Sequence, residues 1–409
     1  MTSVPHLADA AWLKSGGAAR LLTLLNRDGE EARAVGGAVR NALLGIPVGE
    51  IDLATTALPE EVMRRVAASG GKAVPTGIEH GTVTAIIDGR PFEVTTLRED
   101  VETFGRKARV IFGRDWRRDA ERRDFAINAL SASADGIVHD YVGGIDDIGA
   151  RRVRFIGEPK RRIEEDYLRI LRFFRFHAHF GEGAPDAAGV AACIAARAGL
   201  ETLSRERVRM EMLKLLLAAR ATPTLATMSE SGLLGPVLGG IAYLASFENM
   251  IKVEAANGAE PDAVRRLGAL GVWVAEDAER LTQRLRLANT ESDRLLALEH
   301  WWRVAPGAGE QPAHALLYRL GLQSFADRVF TTWARSAAGV TDASWRTLAS
   351  LPQRWTAPVF PLKAADFMRR GIAAGPALGE TLRKAEAAWI AADFPLDQAA
   401  LEAIADRAV

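Results

Sequence analysis

The sequence has almost no cysteine, no excess charge of either sign and few histidines. Because Cys193 is its single cysteine, an internal disulfide and a metal site of several cysteines are excluded. The 52 basic side chains balance the 52 acidic ones, so any site for a polyanion must be a local patch. The 7 histidines are scattered, which argues against a phosphohydrolase domain with a His-Asp metal centre.

The sequence also lacks long apolar runs. The longest uncharged run, residues 231–247, is shorter than the roughly 20 apolar residues that a membrane span needs, and Pro236 interrupts it. The first residues, MTSVPHLADAAWLK, lack the basic start and apolar core of a signal peptide. We therefore expect a cytoplasmic protein in a reducing compartment, with no membrane contact and no obligate protein partner.

The composition that is present is typical of a folded protein with several domains. At about 100–200 residues per domain, the 409 residues correspond to two to four domains. With 48% hydrophobic and 25% charged residues, the composition is average for globular proteins, which excludes a disordered or low-complexity chain.

Short β-like runs are confined to residues 32–142, and the rest of the chain has helical periodicity. We predict strands over Ala32–Val35, Ile51–Thr55, Lys72–Pro75, Thr82–Ile87, Phe92–Thr96 and Ile137–Tyr141. We predict helices between them over Ala38–Leu44, Pro59–Ala68 and Arg117–Ser131. Beyond Gly157 we predict helices over Pro159–Phe180, Ser204–Arg220, Ala275–Leu287 and Glu291–Val304, with Thr290 and Asp293 forming a capping box. The fold class is therefore α+β, with a small mixed sheet and helices followed by an all-α remainder.

The segment AVGGAVRNALLGIPVGEIDLATT, residues 34–56, carries the strongest chemical signal. A β-like run ends at Gly36 and Gly37 and enters a helix, so that backbone N–H groups and the helix N-terminus face the turn. That arrangement suits a phosphate group. Arg40 adds positive charge one turn later. A tight turn with a surface arginine explains the same residues, so this segment alone leaves both interpretations open.

Acidic residues follow in two candidate strands. Glu50 and Asp52 are two apart, so their side chains share a face, where two carboxylates repel unless a cation lies between them. Glu93 alternates with Phe92 and Val94 and should face away from their side of the sheet. Three carboxylates on one face would suit Mg²⁺ and could hold two ions for phosphoryl transfer. A solvated strand face explains Glu93 equally well.

Residues 164–176, EEDYLRILRFFRF, combine an apolar helical stripe with a charged face. Asp166, Arg169 and Arg172 lie at intervals of three on the charged face. Glu165 and Arg169 have the spacing of an ion pair, so an exposed, ion-paired helix is the simplest explanation. The wider segment, residues 151–175, contains nine basic and four acidic side chains and is the best candidate for a polyanion patch in this neutral protein.

The segments VGGAVRNALLG and GEIDLATTA resemble the first signature of the nucleotidyltransferases of the DNA polymerase β superfamily. They are most similar to the class II branch, which contains CCA-adding tRNA nucleotidyltransferases and bacterial poly(A) polymerases. Further segments agree in order and spacing: ERRDFAINAL, HDYVGGIDDIGARRVRFIG, EEDYLRILRFFRF and LSRERVRMEMLKLL. The resemblance covers residues 30–220 and continues more weakly through 284–296.

The resemblance implies a domain order and a set of site residues. It implies a nucleotidyltransferase head over residues 1–142, a helical neck for base recognition and tRNA binding over 143–220, a helical body over 221–330 and a helical tail over 331–409. Glu50, Asp52 and Glu93 are implied to be catalytic and to bind Mg²⁺. The implied nucleotide-binding residues are Gly36, Gly37, Arg40, Arg123, Asp124, Asn128, Asp166, Arg169, Arg172 and Arg175. Of these, Asp166 and Arg169 would read the Watson–Crick edge of CTP or ATP before its addition to the tRNA 3′ end.

The chain departs from the family pattern at two positions. Glu50 stands where aspartate is usual, which keeps the charge and lengthens the arm by one methylene. Asn41 also stands where aspartate is usual, so its contact must be neutral, and we assign it no catalytic role.

Two further segments favour full CCA addition within the family. Residues 75–98 resemble the CCA-adding type, and residues 99–116 resemble the flexible loop of enzymes that add all three nucleotides. An A-adding enzyme or a poly(A) polymerase is the alternative within the family. An inactive RNA-binding relative, which has lost its metal through the change at Glu50, is the alternative of another class.

Overall fold

The chain forms two compact units, Met1–Val237 and Leu238–Val409. The computed structural model describes residues 5–104 and 107–409, and it describes side chains outside residues 99–110. All strands in the described ranges lie in the first unit, whereas the second is helical. The predicted α+β class is therefore confirmed. The finer division at residues 142, 220 and 330 stays a prediction.

The strands of the first unit lie between residues 32 and 139. They are β1 (Ala32–Val35), β2 (Asp52–Thr55), β3 (Lys72–Gly77), β4 (Thr82–Ile87), β5 (Arg90–Thr96), β6 (Arg98–Phe104), β7 (Lys107–Phe112), β8 (Ser131–Ala132) and β9 (Val138–His139). Seven of them form one sheet in the order β3-β4-β5-β2-β1-β8-β9, and β6 pairs with β7 in a separate sheet. The β2–β5 pair is parallel, and the other pairs are antiparallel. The sheet is therefore mixed, as predicted.

The helices cover most of the chain after residue 143. The first unit contains α1 (Ala11–Lys14), α2 (Gly17–Leu25), α3 (Gly37–Leu44), α4 (Pro59–Ala68), α5 (Trp116–Glu121), α6 (Gly144–Gly149), α7 (Pro159–Glu165), α8 (Leu168–Phe180), α9 (Ala187–Ala195), α10 (Arg205–Leu216) and α11 (Ala221–Glu230). They are followed by α12 (Leu234–Leu238), α13 (Leu244–Ala256), α14 (Ala263–Gly271), α15 (Ala275–Leu285), α16 (Asn289–Leu296), α17 (Glu310–Arg335), α18 (Ala343–Ala349), α19 (Leu351–Arg354), α20 (Ala364–Met368), α21 (Pro376–Ala391) and α22 (Gln398–Ala408). Within the described residues, no helix is long and apolar enough to cross a membrane.

Several predicted elements match the structure closely. Strands β1 and β4 have their predicted bounds, and so does helix α4, where Pro59 occupies the first turn and Glu60 and Glu61 face the positive end of the helix dipole. Strands β6 to β8 were not among the predicted strands. Most of the predicted flexible loop at residues 99–116 forms β6, β7 and the start of α5, and residues 105–106 lie outside the described residues.

The predicted helix over Arg117–Ser131 is wrong. Helix α5 ends at Glu121, and a short 3₁₀ helix, Ala126–Asn128, and strand β8 follow it. The chain leaves the helix because residues 124–126 bond to another segment. Phe125 forms an isolated bridge with Phe155, and the N–H of Ile156 donates to the carbonyl of Asp124 at 3.1 Å. These long-range bonds replace the helical i to i+4 pattern.

The single helix predicted over Pro159–Phe180 is also wrong, because the chain breaks between α7 and α8. Asp166 is extended, with φ of −157° and ψ of 108°, and its carboxylate accepts the N–H of Leu168 at 3.1 Å. The side chain thus replaces a helical backbone bond and starts α8. The break leaves the Asp166 carboxylate at the junction of the two helices.

Two predicted features later in the chain also need correction. The helix predicted over Glu291–Val304 is α16, which ends at Leu296 and is followed by a 3₁₀ helix at Trp301–Arg303. The predicted capping box of Thr290 and Asp293 is also wrong, because the helix begins two residues earlier. The N-cap is Ala288, whose N–H donates to the Glu291 carboxylate at 2.9 Å.

An aromatic cluster in the first unit joins the sheet side to helix α8. The ring of Phe155 lies 4.9 Å from that of Phe125 and 5.2 Å from that of Phe173, and Phe125 lies 5.3 Å from Phe176. Phe125, Phe155 and Phe173 are fully buried. We name Phe125, Phe155, Phe173 and Phe176 the phenylalanine cluster. It packs the segment that carries Asp124 against the helix that carries Arg169 and Arg172.

The second unit has its own hydrophobic core, which contains Phe325 and Trp333 from α17. It also contains a buried ion-pair group, in which Glu254 bonds to Arg265 and Arg266 at 2.7 Å each. All three side chains are buried, and both carboxylate oxygens of Glu254 are hydrogen-bonded. This ion-pair group therefore joins α13 to α14.

Cys193 is fully buried in α9, and burial raises the pKa of its thiol to about 12. Since the thiolate is the reactive form, we expect the native protein to resist alkylation by iodoacetamide at about pH 8, whereas protein unfolded in guanidinium chloride takes up one equivalent. Mass spectrometry of the intact protein measures both. Rapid alkylation of the native protein would contradict this prediction.

Candidate active site

Strand β1 ends in a glycine turn that opens helix α3. Gly36 is the N-cap of α3 and has φ of 65° and ψ of −118°, a backbone conformation that favours glycine. The side chains in the described residues leave the N–H groups at this helix start uncapped, as an anion site requires. A Cβ atom at Gly36 would lie 3.5 Å from Arg123 Nη1, and one at Gly37 would lie 3.7 Å from Arg40 Nη2. Two guanidinium groups therefore flank the turn.

The guanidinium of Arg40 is buried and bonds to neutral oxygens. Its Nη1 donates to Asn128 Oδ1 at 2.5 Å, and its Nε and Nη2 donate to Asn41 Oδ1 at 3.1 and 2.8 Å. It lies over the Phe180 ring, 4.0 Å from the ring centre. Burial lowers the pKa of Arg40 to about 10, and the positive charge of Arg175 acts in the same direction. Because the side-chain acceptors of Arg40 are neutral amides, no hydrogen-bonded carboxylate compensates its buried positive charge. Binding of an anion beside Arg40 is therefore favourable.

Arg123 links the glycine turn to the acidic end of the sheet. Its Nη1 donates to the backbone carbonyl of Asn128 at 3.3 Å, and its Nη2 bonds to Asp119 at 3.1 Å. The positive charge of Arg123 also acts to lower the pKa of Asp52, against larger opposing effects. Arg123 and Asn128 thus lie beside Arg40 and Gly36.

The three predicted catalytic carboxylates converge at one end of the sheet. Leu53 of β2 pairs with Val94 of the parallel strand β5, so the preceding residues, Asp52 and Glu93, are neighbours on one face. Strand β2 begins at Asp52, so Glu50 lies just before it rather than within it. The pKa of Asp52 is raised, first by partial desolvation and then by the negative charges of Glu93 and Glu50.

This donor set fits a hard divalent cation. Among the described residues, no three Asp, Glu, His or Cys side chains already form a group that could hold a metal ion. Desolvation is the main cause of the raised pKa of Asp52, and the negative charges of Glu93 and Glu50 raise it further. A cation between the carboxylates would relieve their repulsion, and carboxylate oxygens are the ligands that Mg²⁺ prefers.

Asp166 and Arg169 lie together at the α7–α8 junction, but each bonds to a different partner. Asp166 Oδ2 accepts from Nη2 of Arg207 in α10 at 2.5 Å. Arg169 Nη1 bonds to Glu165 at 2.5 Å and donates to the backbone carbonyl of Arg162 at 2.9 Å. The ion pair expected from the spacing of Glu165 and Arg169 is therefore present. Both predicted base-reading groups remain partly exposed to solvent.

Arg172 and Arg175 extend the positive surface along α8. Arg172 bonds to Asp124 at 2.7 Å, and Arg175 bonds to Glu211 of α10 at 2.5 Å. Their guanidinium groups lie 5.2 and 4.0 Å from the ring centre of Phe176. Desolvation opposes the charged form of Arg172, but the charge and hydrogen bond of Asp124, together with the charges of Glu211 and Asp166, outweigh it and raise the pKa of Arg172. The carboxylates thus orient these two arginines, whereas Arg40 keeps neutral partners.

The sequence prediction missed the partners that α10 supplies. Arg207 and Glu211 lie in the segment LSRERVRMEMLKLL, which carries part of the family resemblance, yet neither was assigned a role. Their spacing of four residues places both on one helix face, which is the signal that could have identified them. Phe180, which lies under Arg40, was missed as well because it reads as an ordinary apolar residue at the end of a helix.

The predicted basic patch over residues 151–175 is weaker than its composition indicates. Arg152 and Arg154 both pair with Asp147, and Arg172 and Arg175 pair with Asp124 and Glu211. These acids lie outside the counted segment. Much of the local excess of positive charge is therefore neutralised within the first unit.

Comparison with known proteins places this site in a family. Residues 32–154 match the model described as the poly A polymerase head domain, and residues 187–244 match the model described as the probable RNA and SrmB-binding site of polymerase A. The first match contains the glycine turn, the three carboxylates and Arg123.

Curated relatives and solved structures match most of the chain. The Homo sapiens mitochondrial CCA tRNA nucleotidyltransferase 1 is 32% identical, with 92% of this chain and 87% of the relative covered. The CCA-adding enzyme of Limosilactobacillus fermentum is 31% identical, with 88% and 89% covered. The crystal structure of Bacillus stearothermophilus CCA-adding enzyme with CTP has a TM-score of 0.75 and 29% identity, covering 95% of this chain and 96% of that chain. The resemblance identified in the sequence is confirmed: the chain belongs to the family of CCA tRNA nucleotidyltransferases, the CCA-adding enzymes.

Proposed function

We propose that this chain adds C, C and A to the 3′ end of tRNA from CTP and ATP, without a nucleic-acid template. The observation that carries the proposal is the likeness, over nearly the whole chain, to enzymes named for CCA addition. CCA-adding enzymes of similar fold have been solved in complex with CTP, with ATP and with tRNA, which are the three substrates this reaction needs. The arrangement of arginines and carboxylates in the first unit supplies the matching chemistry.

In the proposed complex, the nucleoside triphosphate binds at the glycine turn. The N–H groups at the start of α3 and the guanidinium groups of Arg40 and Arg123 surround the phosphates, because both arginines lie within a few ångströms of Gly36 and Gly37. Arg172 and Arg175 border the same region, since their charges lower the pKa of Arg40. The 3′-hydroxyl of the tRNA then attacks the α-phosphate, and pyrophosphate leaves.

Glu50, Asp52 and Glu93 are the residues that would hold Mg²⁺. When bound, the ion would favour deprotonation of the attacking hydroxyl and neutralise charge on the phosphate. The protein contributes three carboxylates, and a cation would relieve the repulsion that the negative charges of Glu93 and Glu50 exert on Asp52. Enzymes of this superfamily generally require a divalent metal.

Base choice is assigned to Asp166 and Arg169. A carboxylate accepts from the exocyclic amine of cytosine or adenine, and a guanidinium donates to a ring nitrogen or carbonyl, so the pair matches both bases and disfavours guanine and uracil. Arg207 is bonded to Asp166 and Glu165 is bonded to Arg169, so each proposed reading group is held by a charged neighbour. Side-chain atoms of the protein thereby replace a template.

The alternatives are separated by one experiment. Transcripts of a tRNA that ends before CCA, and of the same tRNA ending in CC, are incubated with each labelled nucleotide in turn and together. We expect CTP to extend the first transcript and ATP to complete the second by one residue. Incorporation of ATP alone would indicate an A-adding enzyme, a long adenosine tail a poly(A) polymerase, and no incorporation an inactive RNA-binding protein.

We propose a cytoplasmic location for the same chain. The support is the buried, unpaired thiol of Cys193, which is compatible with a reducing compartment. Vertebrate relatives are named as mitochondrial, so fractionation of the source cells with an antibody to this chain is the direct measurement.

A further inference from the structure

A single buried carboxylate holds two neighbouring arginines beside the glycine turn. Asp119 lies in α5, and its side chain is buried. Its Oδ1 atom accepts from Nε and Nη2 of Arg122 at 2.9 and 2.6 Å. Its Oδ2 atom accepts from Nε and Nη2 of Arg123 at 3.3 and 3.1 Å. Each carboxylate oxygen of Asp119 therefore binds one guanidinium group.

The guanidinium of Arg123 connects this carboxylate to the glycine turn. Its Nη1 atom donates to the backbone carbonyl of Asn128 at 3.3 Å, and a Cβ atom at Gly36 would lie 3.5 Å from the same Nη1 atom. The side chain of Asn128 in turn accepts from Nη1 of Arg40 at 2.5 Å. A continuous set of contacts thus runs from Asp119 through Arg123 and Asn128 to Arg40.

These bonds fix the plane of the Arg123 guanidinium and leave donors for a ligand. A guanidinium has five N–H groups, and the bonds of Arg123 to described residues use one each on Nε, Nη1 and Nη2. Within this set of bonds, one N–H group remains on each terminal nitrogen. Because Nη1 lies at Gly36, one of these donors is placed at the turn before any anion binds.

Asp119 orients the two arginines without cancelling both of their charges. Burial opposes ionisation of Asp119, but the charges and hydrogen bonds of Arg123 and Arg122 outweigh it and lower the pKa of Asp119. One negative charge is therefore shared between two positive charges, and the group keeps a net positive charge. An anion at the glycine turn would meet an ordered guanidinium whose charge is only partly compensated.

We propose that Asp119 is a positioning residue, which orients Arg123 toward the phosphates of a nucleotide at the glycine turn while sharing its carboxylate with Arg122. The identity of the nucleotide rests on the proposed function, whereas the anion site can be tested without catalysis. A carboxylate that only stabilised the end of α5 would not affect anion affinity. A carboxylate that acted only through its charge would repel the anion, so its removal would tighten binding.

The test measures binding of inorganic tripolyphosphate to the full chain by titration calorimetry, without tRNA or turnover. We expect Asp119→Ala to weaken binding about fivefold, because the anion must then order a guanidinium that the protein no longer holds. Asp119→Asn keeps the shape of the side chain but offers one oxygen to two guanidinium groups, so we expect it to weaken binding about threefold. The asparagine variant decides the question if the alanine variant does not fold.

Glu121→Ala is the matched control for the loss of charge. Glu121 lies in the same helix, and its carboxylate pairs with Arg117 at 3.9 Å rather than with Arg123. Its removal takes the same negative charge from α5 without releasing Arg123. We expect this variant to bind tripolyphosphate as tightly as the unaltered chain or slightly more tightly.

A double-variant cycle with Arg123 separates positioning from a general loss of structure. Arg123→Ala alone should weaken tripolyphosphate binding about tenfold, because a charge-assisted contact is lost. In that background Asp119→Ala should weaken binding by less than about twofold, since the group that it orients is absent. An equal loss in both backgrounds would overturn the proposal, and so would unchanged or tighter binding by Asp119→Ala. Thermal unfolding of each variant shows that it is folded when binding is measured.

Steady-state kinetics with CTP and a tRNA that lacks CCA give a second readout. We expect Asp119→Ala to raise KM for CTP about fivefold and to change kcat by less than about threefold, because Arg123 would contact phosphates that are already bound in the ground state. Failure of the unaltered chain to bind tripolyphosphate would overturn the role of Asp119. Tripolyphosphate binding in the expected order without any nucleotide incorporation would contradict the proposed function alone, so the two failures are distinct.

Discussion

Replacing Asp52 by alanine is expected to lower the rate of CTP addition by about a thousandfold or more, with tRNA binding retained. Asp52 is the central carboxylate of the three, since both Glu50 and Glu93 act on its pKa. Loss of Asp52 removes a carboxylate that both proposed Mg²⁺ ions would share. Because these ions would act on the chemical step, we expect the rate of CTP addition to fall while tRNA binding is retained. Single-turnover incorporation of labelled CTP measures the rate, and a gel-shift titration measures tRNA binding.

Two controls accompany the Asp52→Ala variant. Desolvation and the like charges of Glu93 and Glu50 raise the pKa of Asp52, so its ionised form is disfavoured in the folded protein. Ionised Asp52 therefore lowers the free energy of unfolding at pH values above the ordinary carboxyl pKa. At neutral pH the thermal midpoint of Asp52→Ala should therefore equal or exceed that of the unaltered chain. Glu50→Asp keeps the charge and should leave activity substantially intact. Near-normal CTP addition by Asp52→Ala would refute the assignment of Asp52 as a metal ligand.

Truncating Asp166 or Arg169 is expected to reduce the choice between bases more than the binding of triphosphate. Loss of a hydrogen-bonding partner for the correct base costs about 1–3 kcal/mol, which is roughly 5- to 150-fold in CTP incorporation. UTP and GTP do not satisfy both groups in the intact enzyme, so their incorporation should fall less. Asp166→Ala and Arg169→Ala are assayed with all four nucleotides on a tRNA that ends before the first C.

The matched control for this pair is Arg161→Ala. Arg161 is a highly exposed arginine in α7, and it bonds to the same Glu165 that Arg169 contacts. Its removal takes one positive charge from the same region without touching the proposed reading groups, so base preference should not change. A uniform loss for every nucleotide, with CTP preference preserved, would mean that Asp166 and Arg169 form structural ion pairs and do not read the base.

The ion pair between Asp166 and Arg207 refines this prediction. Since Arg207 neutralises part of the Asp166 carboxylate, removal of Asp166 also leaves a partly buried guanidinium without that partner. Arg169→Ala leaves Glu165 bonded to Arg162, so its effect on folding should be smaller. The Arg169 variant is therefore the cleaner test of base reading.

Local patterns determined the parts of the fold that could be predicted. Strand β1 stops where Gly36 and Gly37 follow it, and α4 begins at a proline with two acidic residues behind it, so both elements could be bounded from neighbouring residues. The break between α7 and α8 at Asp166 could not be predicted, because the helical periodicity of the apolar residues continues through it. It depends on bonds to Leu168 and Arg207, and on the room that Gly199 leaves for the Tyr167 ring.

The candidate site shows the same limit. Residue type and spacing identified the glycine turn and the carboxylates as candidates, since each is a short motif with a chemical meaning, and the family resemblance added the arginines of α8. Their partners come from distant segments: Asp124 for Arg172, Glu211 for Arg175 and Asn128 for Arg40. Which arginine is neutralised and which keeps neutral partners depends on that long-range packing, and the proposed anion site rests on that difference.

The phenylalanine cluster has a mechanical consequence for the change from cytosine to adenine. Its rings are in contact on both sides of the site, with Phe125 and Phe155 on the sheet side and Phe173 on α8. A densely packed interior resists continuous deformation, so we expect the glycine turn, where we propose that the phosphates bind, and α8 to keep a nearly fixed relative position. The distance between the proposed phosphate site and the proposed reading groups would then be nearly constant, and we expect adenine to replace cytosine through new rotamers of side chains such as Asp166 and Arg169. The protein would then accommodate bases of different size by rotation of side chains, while α8 and the glycine turn keep their separation.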